Sequence, residues 1–289
     1  MIEKLIRFAF YPALLAGTLG SGILAIQQKW DLGLTYSLEV GILLILLIAV
    51  ERLFPLRTDF GMTRQSFWRD VRYIAGVAPV ISLVRWSAGI IALKLAPYHK
   101  GPLQNLPLIL ALPLFLVSFE FFQYWFHRFS HEGRTGIGKF LGRVHLAHHL
   151  PNRVYVVMHA VFHPLNALFA ALILQLTLIL SGVSVEVAFL AMLLIDLQSN
   201  ISHFNADIRA GWLNYVFIGS ETHRLHHAAE SQRTTNYGNT LALWDIVFGT
   251  FRYEPGKFPD RLGVDAPELY PPSESVLKVL AGPFSGKTG

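Results

Sequence analysis

Histidines are the residues of this sequence whose number and spacing could support chemistry. The chain has 289 residues, among them 12 histidines and no cysteine. All the histidines except His99 lie between His127 and His227. The lack of cysteine excludes thiolate ligands, iron–sulfur clusters and disulfides, so a metal site in this protein has to use imidazole or oxygen ligands.

Three segments have the spacing of metal ligands. One is an H-x3-H pair, and the other two are H-x2-H-H triplets. On a helix, side chains three or four residues apart project from the same face, so each segment can direct its imidazoles at one point. The segments are His127 and His131, then His145, His148 and His149, and finally His223, His226 and His227.

These clustered imidazoles predict a metal centre with two ions. Neutral imidazole suits iron, zinc and copper, and four ligands already complete a structural zinc site. The three segments contain eight histidines (the boxed histidines), and their imidazoles exceed one coordination shell. Nitrogen ligation beside a membrane favours iron and oxygen activation, although zinc can replace ferrous iron during purification. A metalloprotease motif fails, because the H-E-x-x-H pattern begun by His131 and Glu132 ends in Thr135.

Four histidines lie outside the three segments. A histidine inside a membrane is costly and usually functional, so we predict His163, which precedes Pro164, and His203, at the end of the last apolar segment, as additional ligands. His159 is open to both a ligand and a structural interpretation. His99 stands alone in a loop on the opposite side, and we predict a structural role for it.

Two acidic residues stand at the same distance from a predicted ligand. Glu120 precedes His127 by seven residues, and Asp196 precedes His203 by seven residues. Seven residues are about two helical turns, so acid and imidazole share a face. Because metal-bound imidazoles usually donate their other N–H to a carboxylate, we predict that each acid orients its histidine. Helix–helix polar contacts are the alternative, and Arg85 is expected to pair with an acid or to line a headgroup pocket.

The composition predicts an all-α, multi-span membrane protein. Hydrophobic residues make up 53% and charged residues 15%, and the mean hydropathy is +0.43. A bilayer core takes about 20 apolar residues of helix, so the sequence predicts four to six spans. The apolar stretches are 8–26, 36–54, 73–96, 106–126, 156–181 and 185–203. We divide the chain into N-terminal membrane helices at 1–105, a histidine-bearing domain at 106–253 and an irregular tail at 254–289.

Loop charges predict which side of the membrane carries the histidines. The connection at 51–72 has five arginines, whereas the connection at 27–35 has Lys29 against Asp31. The positive-inside bias therefore places the N-terminus and the 51–72 connection in the cytoplasm. Counting spans onward puts all three histidine segments on the same side. Loop cations also explain the net charge of +5 without a nucleic-acid partner.

An ordered set of motifs runs from Glu120 to Phe251. It consists of Glu120 and Tyr124 ahead of His127-Arg128, both H-x2-H-H segments, His163-Pro164, His203 with Asp207-Ile208, Asn236-Tyr237-Gly238 and residues 243–250. In these residues the chain resembles the fatty acid hydroxylase/sterol desaturase superfamily, in particular the branch with alkylglycerol monooxygenase and bacterial ornithine-lipid hydroxylases. Family members often have Glu at the position of Asn166, so the family's role for that position does not transfer directly.

The resemblance implies a bundle of membrane helices, capped on the cytosolic side by a helical site with two irons, as in a bacterial inner-membrane enzyme. It implies dioxygen, a lipid substrate and two external electrons. We find no flavin or nicotinamide fingerprint, so a reductase, ferredoxin or pterin would donate them. Hydroxylation of a lipid C–H bond is the leading hypothesis, with no catalytic residue beyond the metal ligands.

Three other functions compete with a hydroxylase. A lipid or sterol desaturase would use the same metals, and the sequence does not separate it from a hydroxylase. A metal transporter would place its ligands near the bilayer midplane on broken helices, whereas these segments flank the spans. A purely structural membrane protein would leave the histidines unexplained.

Overall fold

The computed structural model describes residues 1–95, 100–229 and 235–285, and His99 lies outside them. Within these ranges the chain forms α-helices and short 3-10 turns, with isolated β-bridges in place of strands. The predicted all-α class is confirmed. The helices are α1 (Ile2–Gln27), α2 (Leu32–Leu53), α3 (Arg64–Leu95), α4 (Leu108–Glu132), α5 (Gly136–His149), α6 (Pro164–Ser181), α7 (Val185–Ser202), α8 (Ser220–His226), α9 (Leu243–Val247) and α10 (Val276–Ala281).

Six of the described helices are long and apolar enough to cross a membrane: α1, α2, α3, α4, α6 and α7. This is the upper end of the predicted range. Helix α6, the fifth of these six, begins later than the apolar stretch at 156–181. His163 has the extended backbone that a following proline favours. Pro164 then takes the first helical position, where its missing N–H leaves no hydrogen bond unmade. Residues Val156–Ala160 form a 3-10 turn instead.

Helix α7 lies at the centre of the bundle, in contact with α1, α2 and α4, while α3 packs mainly against α6. In its most apolar 18-residue window, 67% of α7 is buried inside the protein, compared with 11% for α2. Leu197 and Ile201 of α7 are fully buried. The helix that ends at His203 is therefore the one most enclosed by protein.

A tight turn brings α5 back against the end of α4. The turn contains Gly133 and Gly138, whose backbones approach so closely that a Cβ atom built on Gly133 would lie 2.5 Å from the Cα of Gly138. Larger residues at either position would force the turn open. The close approach packs α5 against α4 and so brings the first two histidine segments together.

The C-terminal tail is largely irregular, but it packs against the rest of the chain. Arg69 of α3 is 2% exposed and donates hydrogen bonds to the hydroxyls of Tyr155 and Ser273. Val276 and Val279 of α10 belong to one apolar cluster with Tyr73 of α3 and with Tyr155. The tail therefore holds the 3-10 turn and α3 in place beside the histidines.

Candidate metal centre

Nine histidines form two compact groups, and all of them except the partly exposed His131 are buried. Within each group, one nitrogen from every imidazole lies within 4.8 Å of the corresponding nitrogens of the others. All eight boxed histidines take part, together with His203. The first group is His127, His131, His145, His149 and His226, and the second is His148, His203, His223 and His227.

The helices α5 and α8 each serve both groups. On α5, His145 and His149 are four residues apart and face the first group, while His148 faces the second. On α8 the arrangement is reversed, since His226 faces the first group. The second group receives His223 and the C-cap residue His227, which are four residues apart. Each triplet therefore divides its imidazoles between two points rather than directing them at one.

Backbone carbonyls orient three of these imidazoles. The Nδ1 atom of His127 lies 2.7 Å from the carbonyl oxygen of Tyr237, and that of His148 lies 3.1 Å from the carbonyl oxygen of Val161. The third is His226, whose Nδ1 atom lies 2.9 Å from the carbonyl oxygen of Thr235. A carbonyl oxygen can only accept, so each Nδ1 carries the proton and each Nε2 presents a lone pair.

Asn166 has the same function for a fourth imidazole. Its Oδ1 atom lies 3.0 Å from the Nδ1 atom of His145 and accepts its hydrogen bond. The Nε2 atom of His145 therefore also points inward with a lone pair. The position where family members often carry a carboxylate is thus occupied here by a neutral amide that still fixes the ring orientation.

The inward-facing Nε2 atoms are crowded together in the arrangement that a cation requires. In the second group, His203 lies 3.1 Å from His148 and 3.2 Å from both His223 and His227, measured between Nε2 atoms. Lone pairs at this distance repel one another unless a positive ion lies between them. For metal–nitrogen bonds of about 2.1 Å, ligands at right angles are about 3 Å apart, so the spacing fits a coordination shell.

Burial keeps these imidazoles in the neutral form that binds metals. Removal from water lowers the pKa of His145 to about 4, and it lowers the pKa of His203 and of His226 to about 3. A charged imidazole has no lone pair to offer, so a site that disfavours protonation favours metal binding. The donor set, its burial and its spacing all fit two transition-metal ions.

The structure places His163 outside both groups. Its Nδ1 atom accepts a hydrogen bond from the backbone N–H of Leu165, which caps α6, and its Nε2 atom lies 3.1 Å from the carbonyl oxygen of Leu280. Both nitrogens are thus engaged, and no lone pair remains for a metal. His159 is also outside the groups, with its Nδ1 atom 3.0 Å from the carbonyl oxygen of Val156.

Neither predicted acid contacts its histidine. Glu120 accepts hydrogen bonds from the backbone N–H groups of Asn239 and Thr240, so it supports the loop whose Tyr237 carbonyl orients His127. The expectation of a direct carboxylate–imidazole contact is wrong there, because the carbonyl already occupies Nδ1.

Asp196 likewise accepts its hydrogen bond elsewhere, from the hydroxyl of Tyr36. The Nδ1 atom of His203 lies instead 3.2 Å from the carbonyl oxygen of Ser199 and 2.8 Å from the hydroxyl of Ser202. Seven residues place the acid and the imidazole on one face, but two turns of helix keep them apart.

Asp245 is a supporting residue to which the sequence assigned no role. Its carboxylate accepts from the backbone N–H groups of Tyr237 and Gly238 and from the Thr250 hydroxyl. These contacts fix the turn that presents the Tyr237 carbonyl to His127. The motif around Asn236-Tyr237-Gly238 and Asp245 was visible in the sequence, but backbone acceptors leave no signature of residue type.

An elongated cavity of about 370 Å³ adjoins both groups. Helices α3, α4, α6 and α7 line it, mostly with apolar side chains, and His127, His145, His148, His203 and His223 are at its wall. Along α3 the lining runs from Ile74 to Arg85, about 16 Å at 1.5 Å per residue. A flexible apolar chain fits this shape and would reach both groups of histidines.

Comparison with known proteins agrees with the geometry of the site. Residues 112–250 match the family described as fatty acid hydroxylase, and this range contains all nine clustered histidines. The matched range is just under half of the chain and is similar to fatty acid hydroxylases. The predicted resemblance to the superfamily is confirmed.

The similar proteins include a lipid hydroxylase, a sterol oxidase and an aldehyde decarbonylase. The chain is 28% identical to an ornithine lipid hydroxylase from Rhizobium tropici over 96% of its own length and 83% of that protein. It is 24% identical to a lathosterol oxidase from Homo sapiens, over 66% of its length and 62% of the relative. A very-long-chain aldehyde decarbonylase from Oryza sativa subsp. indica is 29% identical, but the match spans 24% of that protein. No solved structure is significantly similar.

Proposed function

We propose that this protein is a membrane-bound di-iron oxygenase that hydroxylates a C–H bond of a lipid. The observation that carries the proposal is the convergence of buried imidazole lone pairs at two points beside an elongated apolar cavity. The lipid hydroxylase and sterol oxidase among its relatives support the same class of reaction. The nine clustered histidines are the proposed ligands.

The overall reaction would insert one oxygen atom of dioxygen into the C–H bond and release the other as water, consuming two electrons and two protons. Two irons, when bound, would supply the reduction of dioxygen by those electrons. The residues themselves position the imidazole ligands and the lipid chain. The carbonyls of Tyr237, Val161 and Thr235 hold three rings in place, and the apolar cavity wall aligns the chain and excludes water.

The position of the ligands supports an enzyme rather than a metal transporter. His127 and His131 are in the last two turns of α4, and His203 follows the final residue of α7. Transporters place such ligands on broken helices near the middle of the membrane. Here the ligand-bearing helices are continuous, and the remaining ligands come from the short helices α5 and α8.

The cytoplasmic location of the site and its electron supply are part of the proposal. Arg69 is buried against Asp70, so it does not contribute to the loop charge. Arg52, Arg57, Arg64 and Arg72 still give the 51–72 connection an excess of cations. The positive-inside bias therefore supports a cytoplasmic location for the sites, where a reductase, ferredoxin or pterin would donate the electrons.

By similarity over nearly the whole chain, we propose an amino-acid-headed lipid of the ornithine-lipid type as the first substrate to test. Purified protein loaded with ferrous iron and given a chemical reductant should consume dioxygen and yield a product 16 mass units heavier. A product two units lighter would identify a desaturase instead. Metal-dependent oxygen uptake without any lipid product, for every lipid tried, would contradict the proposal.

A further inference from the structure

The cavity lining includes charges that an apolar chain does not need. Arg85 of α3 and Asp196 of α7 line the cavity, together with Gln175 of α6. The hydroxyl of Tyr36, on α2, donates a hydrogen bond to Asp196. Charged side chains within membrane helices are costly and usually mark a functional site, and neither charged residue orients a histidine of the metal centre.

Arg85 contacts the hydroxyl of Tyr36 but, among the described residues, no carboxylate. It interacts with Asp196 at longer range and with the hydroxyl of Tyr36. A purely structural contact between helices would pair the two charges directly. Here Arg85 of α3 and Asp196 of α7 line the same cavity without forming an ion pair.

We propose that Arg85, Asp196 and Tyr36 form a binding site for a zwitterionic lipid headgroup. Guanidinium is the side chain best suited to bidentate binding of a carboxylate or a phosphate, and Asp196 complements an ammonium group. A headgroup with both charges neutralises both residues at once. A headgroup with neither would leave two charges uncompensated in an apolar environment. The inference rests on the proposed function, because it names the substrate class of the same cavity.

The site also limits where the lipid is oxidised. Asp196 precedes His203 by seven residues on one continuous helix, which is about 10 Å along its axis. A lipid held at Asp196 therefore presents to the histidines a carbon within about that distance of its headgroup. Oxidation falls in the headgroup or in the neighbouring part of the chain, and not at the methyl end.

The test compares binding of three lipids with identical acyl chains to the full-length protein in detergent, by native mass spectrometry. One is an ornithine lipid with carboxylate and ammonium, one is a phosphatidylethanolamine with phosphate and ammonium, and one is an uncharged diacylglycerol. Wild-type protein should prefer at least one charged lipid over diacylglycerol by about tenfold or more, since hydrogen bonds to charged groups are stronger than those between neutral groups. The preferred lipid distinguishes carboxylate from phosphate.

Arg85→Gln should reduce binding of the preferred lipid to the level of diacylglycerol, and Arg85→Lys should restore part of it. Asp196→Asn should weaken binding of that lipid. It should not change binding of a fatty acid, which has no ammonium group. Arg72→Gln, on the same helix but outside the cavity, is the matched control and should change nothing. Unchanged diacylglycerol binding shows that each variant is folded.

Equal binding of all three lipids by wild-type protein would overturn the headgroup site, and so would a preference that survives Arg85→Gln. Failure of the proposed function is separate and recognisable. If the preference is present and depends on Arg85, but iron-loaded protein oxidises none of the bound lipids, the headgroup site stands and the oxygenase assignment falls.

Discussion

Helices α2 and α7 differ in a way that runs against simple expectation. The most apolar window of α2 has a mean hydropathy of 2.2 and is 11% buried inside the protein, whereas that of α7 has 1.4 and is 67% buried. The more hydrophobic helix thus faces lipid, and the less hydrophobic one is enclosed by protein. In a membrane, polar side chains need protein partners, so the buried helix is where polar groups can be kept.

The polar side chains of α7 show this pattern in detail. Gln198 accepts a hydrogen bond from the buried hydroxyl of Tyr11, at 3.0 Å. Asp196 and Ser199 line the cavity, and Ser202 contacts the imidazole of His203. In α2, by contrast, Ile42 and Ile45 are 64% and 71% exposed. The comparison predicts that substitutions in the enclosed region cost far more than matched substitutions on the lipid-facing surface.

The largest effect is expected for a ligand at the end of the enclosed helix. His203→Ala removes the imidazole that contacts three others in the second group. It should remove about one of two metals per chain and lower turnover by more than the roughly 100-fold typical of supporting residues. His163→Ala is the matched control and should keep both metals. Elemental analysis and oxygen uptake on the same samples measure both, and equal losses in the two variants would contradict the assignment.

A buried charge should come next. Arg69 is 2% exposed and pairs with Asp70 at 2.7 Å, while Arg72, three residues further along α3, is exposed. Arg69→Met leaves Asp70 buried and unpaired, which typically costs about 3–5 kcal/mol. Arg72→Met should be nearly neutral. Thermal unfolding in detergent checks the pair, and similar melting temperatures for the two variants would show that the network adds little.

A third test uses apolar residues alone. Leu197 of α7 is fully buried, and Leu197→Ala should lower the free energy of unfolding by about 2–5 kcal/mol because it leaves a cavity. Ile45→Ala, on the lipid-facing side of α2, should change it by less than about 0.5 kcal/mol. Equal destabilisation would mean that lipid contacts of α2 contribute as much as protein packing, and the comparison between the helices would fail.

The smallest effect is expected for the hydrogen bond between Gln198 and Tyr11. Such bonds between membrane helices contribute about 0.6 kcal/mol on average. Gln198→Leu and Tyr11→Phe should each lower the free energy of unfolding by about that amount, and the double variant by no more than either alone. Additive losses would indicate that the two side chains act independently.

Much of the fold follows from the sequence for a physical reason. Hydropathy over about 20 residues reports spans directly, because the bilayer sets the length of each helix. The late start of α6 reflects the local rule that the residue before proline is extended. The C-terminal tail illustrates the limit, since its contacts with Arg69 join residues about 200 positions apart, and no local pattern reports them.

The site was predictable in its members but not in its arrangement. Spacing of three and four residues identified all eight boxed histidines, since they must lie on related helix faces. Which imidazole of each triplet faces which group depends on how α4, α5 and α8 pack together, and this is not a local property. The supporting groups are mainly backbone carbonyls such as that of Tyr237, which any residue could supply. The seven-residue spacing of Glu120 and Asp196 from histidines therefore did not identify the groups that orient the imidazoles.

The division of each triplet between the two groups has a consequence for how the centre assembles. On α5, His148 faces one group while its neighbours His145 and His149 face the other, and α8 shows the converse arrangement. A metal held by one group therefore fixes the rotation of both helices and so positions the remaining imidazoles for the second ion. The two metals should load cooperatively, with singly occupied protein scarce throughout a titration and both ions leaving together when a chelator removes one.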